Sequence, residues 1–245
     1  MHIKNTLKRL INSSGFELRR LNPRSNPAFQ LLKALENFDI DLVFDIGANE
    51  GQFAAELRSV GYSGEIVSFE PLTSAHQAIE KISRLDDRWK LHEQCAIGDR
   101  DGHVEINIAE NSVSSSILPI LEAHTSAARK SSYIATERVC INRLDTVAPV
   151  YLETSKRPFL KIDTQGYEWQ VLDGATQVLP LVKGLICELS LVPLYKGQRL
   201  WLGLIERLES EGFTLWAIQK GFTDLRDGRT LQINAIFFRT PEADG

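Results

Sequence analysis

The sequence predicts an α/β domain whose mostly parallel sheet closes on an antiparallel hairpin. Three observations carry this expectation. Short apolar runs alternate with longer amphipathic stretches from residue 41 onward, a glycine-containing turn follows the first run, and the last two runs have no helix between them. The strand-like runs are Leu42–Ile46, Glu65–Glu70, Trp89–Cys95, Phe159–Asp163, Gly184–Leu189, Thr214–Gln219 and Asn234–Arg239. Helical spacing occupies Gly51–Val60, Ser74–Arg84, Glu168–Leu179 and Leu200–Glu211, and Phe29, Leu32 and Leu35 mark a short helix over Ala28–Asn37. Lys220–Arg229 contains Gly221, Asp227 and Gly228, which suits a hairpin link.

A long insertion, residues 98–157, separates the third and fourth core strands. It carries two extended stretches, His103–Ala109 and Arg138–Ile141, around the serine-rich Ser112–Ser116. Insertions on the ligand side of such sheets commonly shape the substrate pocket. The expected division is an amino-terminal helical extension, residues 1–40, and a main domain, residues 41–245.

At 245 residues, with 43% apolar and 24% charged side chains, the chain has the balance of an ordinary soluble globule with a real core. No apolar run approaches the roughly 20 residues that span a bilayer, and Lys4, Lys8 and Arg9 interrupt any secretory signal, so a cytoplasmic location is expected. The net charge of −4 gives no overall attraction to nucleic acid. Residues 1–24 depart from that balance, with Lys4, Lys8, Arg9, Arg19, Arg20 and Arg24 against Glu17 alone. Ile3, Leu7, Leu10 and Ile11 share one helical face there, which suits packing on the domain or over its mouth. Peripheral contact with an anionic membrane is the alternative. Cys95, Cys140 and Cys187 match no metal or redox spacing and read as small buried hydrophobes, and the histidines form no metal motif. No metal site is expected; self-association into a homo-oligomer is compatible with the sequence.

The candidate cofactor site begins with Val43-Phe44-Asp45-Ile46-Gly47-Ala48-Asn49-Glu50-Gly51. A buried strand runs into two glycines and then a helix, at the strand end where open α/β sheets bind ligands. Gly47 and Gly51 permit a tight turn and close approach by a ligand. Ile66-Val67-Ser68-Phe69-Glu70-Pro71 places a carboxylate at the second strand end, suited to both hydroxyls of a ribose. Nicotinamide-binding folds share that carboxylate, but their fingerprint is GxGxxG. The first GxG pair is missing here, Glu50 at the helix start would repel a pyrophosphate, and Asp45 and Glu50 suit a sulfonium. The cofactor expected on these grounds is S-adenosylmethionine (SAM), held by Asp45, Gly47, Ala48, Asn49, Gly51, Glu70 and Pro71, with Ala96 and Ile97 beside the adenine.

The segments VFDIGANEGQF, VSFEP, AIGDRDG, NSVSSSI, INRLDTV and FLKIDTQGYEWQVLDGA together resemble the FkbM family of methyltransferases, over about residues 41–239. The last is the most specific, through the spacing of Lys161, Asp163, Gly166 and Glu168. The resemblance implies a seven-stranded Rossmann-like class I methyltransferase fold ending in the hairpin, and methylation of a hydroxyl on a sugar, glycan or related natural product. It also implies a substrate pocket bordered by Ser114, Ser115 and Ser116. Where many members carry an acid, this chain has Gln165.

Oxygen methylation needs positioning and a group to take the hydroxyl proton. Asp163 is the first candidate, either as base or as the group that orients the hydroxyl; capping the next helix or contacting the SAM amino group is the alternative. Glu188, in an apolar strand, needs a partner: Lys161 could supply it, the pair could bind substrate, or Asp163 and Glu188 could share a divalent metal, for which the sequence holds no diagnostic spacing. Glu168 suits the start of a helix and a structural role. His124 is a weaker base candidate with no motif around it. An NAD-dependent oxidoreductase or epimerase and a non-catalytic SAM- or glycan-binding protein are the competing readings.

Overall fold

The computed structural model describes Arg9 and residues 11–16, 21–152 and 157–239. Most of the basic amphipathic segment, including Ile3, Lys4, Leu7, Lys8 and Leu10, lies outside the described residues.

The main sheet has seven strands: β1 (Leu42–Ile46), β2 (Glu65–Phe69), β3 (Trp89–Leu91), β7 (Pro158–Ile162), β8 (Gly184–Ser190), β9 (Thr214–Lys220) and β10 (Gln232–Phe238). Their order across the sheet is β3-β2-β1-β7-β8-β10-β9. The pairs from β3 through β8 are parallel, and β10 runs antiparallel to both β8 and β9. This is the class I methyltransferase sheet, with the terminal hairpin where the turn residues placed it.

Alternation along the strands divides the core into two layers. Val43, Phe159, Ile186, Ile236 and Phe238 face one side. There they pack with Leu31, Leu32 and Leu35 of α1 (Pro27–Asn37) and with Ala54 and Leu57 of α2 (Gln52–Ser59). Ile79 of α3 (Thr73–Ser83) joins the same layer. Phe44, Ile46, Leu160, Ile162, Leu185 and Phe237 face the other side with Leu204 and Leu208 of α8 (Trp201–Ser210). α1 begins at Pro27, with Asn26 accepting from the Phe29 N–H at 3.0 Å as its N-cap.

The expected third strand, Trp89–Cys95, divides in two. Trp89–Leu91 stays in the main sheet, and Ala96–Ile97 (β4) leaves it to pair with Ile141 and Asn142 of β6 (Tyr133–Asn142). The turn between them is pinned by the His92 N–H donating to Ser68 O at 3.0 Å, and by the Gln94 amide donating to Pro71 O at 2.7 Å. With β5 (Gly102–Ala109), these strands make a separate three-stranded sheet, β4-β6-β5, from the inserted segment. α4 (Glu122–Ala127), α5 (Leu144–Val147) and α6 (Pro149–Leu152) complete the insertion. The helix expected over Glu168–Leu179 stops at Asp173 as α7. Its cap, Gly174, lies so close to the Gly98 carbonyl that a Cβ would sit 1.8 Å from the oxygen, and the chain turns away there. One cysteine also departs from expectation: Cys95 and Cys187 are buried, but Cys140 is exposed, because it lies on the open side of β6 opposite His103.

Candidate active site

A cavity of about 500 Å³ opens at the carboxyl ends of β1, β2 and β7 and extends over β8, β10 and β9 toward α1. Its position follows from topology: β1 and β7 are neighbours whose following chains leave in opposite directions, which opens a crevice between them.

The turn after β1 is held by its own chain. The N–H groups of Gly47 and Ala48 both donate to Phe69 O at 3.1 Å. Gly47 has φ +75°, and a Cβ there would lie 1.9 Å from the Asp163 carbonyl oxygen. Gly51, at φ +83°, would put a Cβ 2.9 Å from the Trp89 ring. The absent side chains therefore make room first for the protein itself. Asn49 adopts φ +47°, and its N–H donates to Glu70 Oε2 at 2.7 Å. Glu70 Oε1 accepts from the Leu72 N–H at 2.9 Å, so this one carboxylate holds the turns after both β1 and β2. Burial raises its pKa to about 7 against these two hydrogen bonds.

Gly47, Ala48, Asn49, Glu70, Pro71, Ala96 and Ile97 all line the cavity. Asp45 and Gly51 do not. Asp45 is fully buried, and its Oδ1 lies 3.0 Å from Lys161 Nζ. That cation also donates to Gly47 O at 2.6 Å and lies 3.8 Å from Asp163 Oδ2. Burial pulls the Lys161 pKa down, but Asp45 and then Asp163 outweigh it and the net shift is upward, so the ammonium is kept. Lys161 thus braces the glycine turn through Asp45 and Gly47; the expected Lys161–Glu188 pair is replaced by these partners.

Asp163 follows β7 and is about a third exposed. Gln165, at φ +53°, donates from Nε2 to Asp163 Oδ1 and to Glu188 Oε2, each at 2.8 Å. Tyr195 donates to Gln165 Oε1 at 2.6 Å, and Gln232 donates to Glu188 Oε2 at 2.6 Å. Burial, then the charges of Asp163 and Glu168, push the Glu188 carboxyl well above the ordinary range, against the pull of Lys161. Glu168 opens α7 and accepts from the N–H groups of Thr164 (3.1 Å) and Gly166 (2.9 Å), closing the loop that carries Asp163. Burial lifts its pKa to about 7.

The serine run is largely occupied with structure. Ser115 Oγ accepts from the Ala109 N–H at 3.0 Å, and Ser116 donates to Gln165 O at 2.7 Å. Ser115 and Ser116 line the cavity, as do Ser112 and Val113. Ser114 lies behind that wall, with its Oγ 3.3 Å from His124 Nε2. His124 is buried outside the cavity lining, and desolvation lowers its pKa to about 4.

Sequence reasoning missed Tyr195 and Gln232 and gave Gln165 no part in the site. Neither Tyr195 nor Gln232 belongs to a motif, and each reaches the site only through chain reversal after β8. The β8–β10 register, which pairs Gln232 with Ser190 and Asn234 with Glu188, is the signal a strand-pairing argument would have needed.

The fold and cavity are those of a ligand-binding Rossmann-like sheet, and the family match makes it a methyltransferase. The family profile of the Methyltransferase FkbM domain matches residues 45–215, and the chain belongs to that family. No curated protein matches the sequence. Among solved structures, the chain is similar to magnesium protoporphyrin IX methyltransferase from Synechocystis PCC 6803 with bound SAM, at 10% identity, 97% coverage of each chain and a TM-score of 0.47. It is also similar to an rRNA methylase from Streptococcus thermophilus, at 12% identity, 89% coverage of this chain and 98% of the other, with a TM-score of 0.47. A third is 1,6-didemethyltoxoflavin-N1-methyltransferase from Burkholderia thailandensis, at 12% identity, 88% and 78% coverage, and a TM-score of 0.46. Family membership displaces the oxidoreductase and non-catalytic alternatives, and SAM is the cofactor. The cavity suits it: Asn49 Nδ2 is a buried donor without a partner, and Glu70 keeps acceptor capacity beyond its two backbone bonds.

Proposed function

We propose that the protein methylates a hydroxyl oxygen of a sugar, glycan or related natural product, with Asp163 taking the hydroxyl proton. One observation carries this reading. Of the acids at the strand ends, Asp45 is sealed against Lys161, Glu70 is tied to two backbone N–H groups, and Glu188 is raised by burial. Asp163 reaches the cavity with a carboxylate about a third exposed and fixed in direction by Gln165.

When bound, SAM supplies an electrophilic methyl group on a sulfonium. In this reading Glu70 would receive the ribose hydroxyls, Asn49 would donate to the cofactor carboxylate, and Pro71, Ala96 and Ile97 would hold the adenine. Asp163 orients the acceptor hydroxyl and takes its proton. Ser115 and Ser116 line the acceptor side with Phe53 and Asn234. Amides and hydroxyls there match the donors and acceptors of a polyhydroxylated molecule.

The test is transfer of labelled methyl from SAM to a panel of saccharide and polyketide alcohols. Wild type should label hydroxyl oxygen, and Asp163→Asn should lower kcat by roughly 100-fold or more while leaving the SAM Kd little changed. Labelling confined to nitrogen or sulfur acceptors would sink the proposal.

A further inference from the structure

We infer, on the hydroxyl methylation proposed above, that the acceptor is a neutral pyranose ring seated between α1 and the β9–β10 hairpin. There the side-chain amide of Asn234 grips two neighbouring ring hydroxyls and so selects the acceptor.

In the strand order, β1 and β2 lie on one side of β7, and β8, β10 and β9 lie on the other. Asp163, which follows β7, therefore stands between two parts of the cavity. Gly47, Glu70 and Ala96 line the first, where the cofactor binds. The second is walled by Pro27, Ala28 and Leu31 of α1 and by Gln219, Lys220 and Asn234 of the hairpin strands. All six lie outside residues 45–215, the stretch that matches the family. The matched stretch thus builds the seat of the shared cofactor, and chain beyond it supplies much of the space left for an acceptor.

Residues directly opposite in a sheet share a face, and Asn234 pairs with Glu188 on β8 and with Gln219 on β9. Both neighbours are engaged. Glu188 accepts from Gln165 and Gln232, and Gln219 donates to Pro27 O at 3.0 Å and to Gln30 Oε1 at 3.1 Å, which fastens α1 over the hairpin. Asn234 between them is half-buried and lines the cavity, and its side chain has no hydrogen-bond partner among the described residues. An amide there offers a carbonyl and an N–H side by side, and a partly desolvated one gains when a ligand meets both. Two adjacent ring hydroxyls do so, one donating and the next accepting. Ala28, Leu31, Phe53 and Ile186 give the same space apolar surface for the C–H face of a ring. Charge decides against an acidic ring. Of the two lysines on the cavity wall, Lys161 is committed to Asp45 and Gly47, and the exposed Lys220 shares the wall with the exposed Glu56. An acceptor carboxylate would face Asp163 with no uncommitted cation inside.

Proton–nitrogen NMR of the full-length protein loaded with S-adenosylhomocysteine reads this seat without turnover. The probes are the methyl glycosides of glucose, galactose and mannose and the matching uronates, oxidised at the primary alcohol. Asn234→Ser identifies the side-chain amide signals by their loss. With at least one neutral glycoside those signals should shift saturably, together with the backbone signals of Ala28 and Leu31. Asn234→Leu keeps the volume and removes the grip. It should weaken that glycoside by roughly 3- to 10-fold and leave the SAM Kd little changed. The matching uronate should bind wild type roughly 5-fold more weakly than its neutral parent. Should the leucine variant not fold, Asn234→Ser carries the same comparison. Neutral glycosides that all leave the Asn234 amide unmoved overturn the inference, as do an unchanged affinity in the folded variant and a uronate that binds as tightly as its parent. Methyl transfer to a glycoside that leaves Asn234 unmoved fails this inference alone. A saturable shift at Asn234 without oxygen methylation fails the proposed function alone.

Discussion

Removing Glu70 should separate a cofactor contact from a structural one. In Glu70→Ala the N–H groups of Asn49 and Leu72 lose an acceptor now held at 2.7 and 2.9 Å. Leaving a buried donor unpaired costs about 1–3 kcal/mol, so the variant should lose roughly 2–5 kcal/mol of folding stability if water does not enter. The cofactor loses a charged acceptor for its ribose, and a hydrogen bond to a charged group contributes about 1.5–3 kcal/mol. That corresponds to SAM binding weaker by roughly 10- to 150-fold. Glu70→Gln keeps the shape and one carbonyl, and it should retain more stability than affinity. Urea unfolding gives the first quantity and calorimetric titration with SAM the second. A SAM Kd within twofold of wild type in folded Glu70→Ala would refute the ribose assignment. An unchanged urea midpoint would refute the clamp.

Gly47→Ala forces a Cβ to within 1.9 Å of the Asp163 carbonyl at φ +75°, so β1 and β7 must part; strain and overpacking together should cost about 2–5 kcal/mol. A drop in Tm, with SAM binding weakened in protein that remains folded, is the expected result, and a wild-type Tm would contradict the close approach. Glu70 and Glu168, both raised to about 7 by burial, hold their protons more tightly folded than unfolded. Their contribution to stability is therefore full below the unfolded pKa of about 4.5 and is lost as pH rises toward 7. Unfolding free energies from urea titrations should fall between pH 5 and pH 8 by about 2 kcal/mol for each group, and a Glu168→Gln variant should flatten the curve.

The sheet was legible because its signals are local and mutually consistent. Five-residue apolar runs, glycine at the strand end and a helix-free link before Asn234 need no knowledge of what packs where. The meeting of Gly47 and Glu70 at one cavity was legible for the same reason, since they belong to two adjacent strand–turn units. The roles inside it were not. Asp45 looked like a ligand contact, but an acid in a buried strand is sealed wherever a neighbouring strand supplies a cation, and Lys161 stands opposite it in the β1–β7 register. The division of Trp89–Cys95 between two sheets depended on pairing with Ile141, far along the chain. Gln165 gained its place only through Tyr195 and Glu188, which no spacing rule connects to it.

Two serines of the inserted segment reach the strand-end site: Ser112 meets Asn49 at 3.4 Å, and Ser116 meets Gln165 at 2.7 Å. Those bonds tie it on one side to the glycine turn after β1 and on the other to the loop after β7. The hairpin of β5 and β6 beyond them presents an outer face with His103, Glu105 and Cys140 in solvent. Change should therefore be cheap on that outer face and dear in the few residues from Ser112 to Ser116. A lineage could alter that face while leaving the two serine bonds in place.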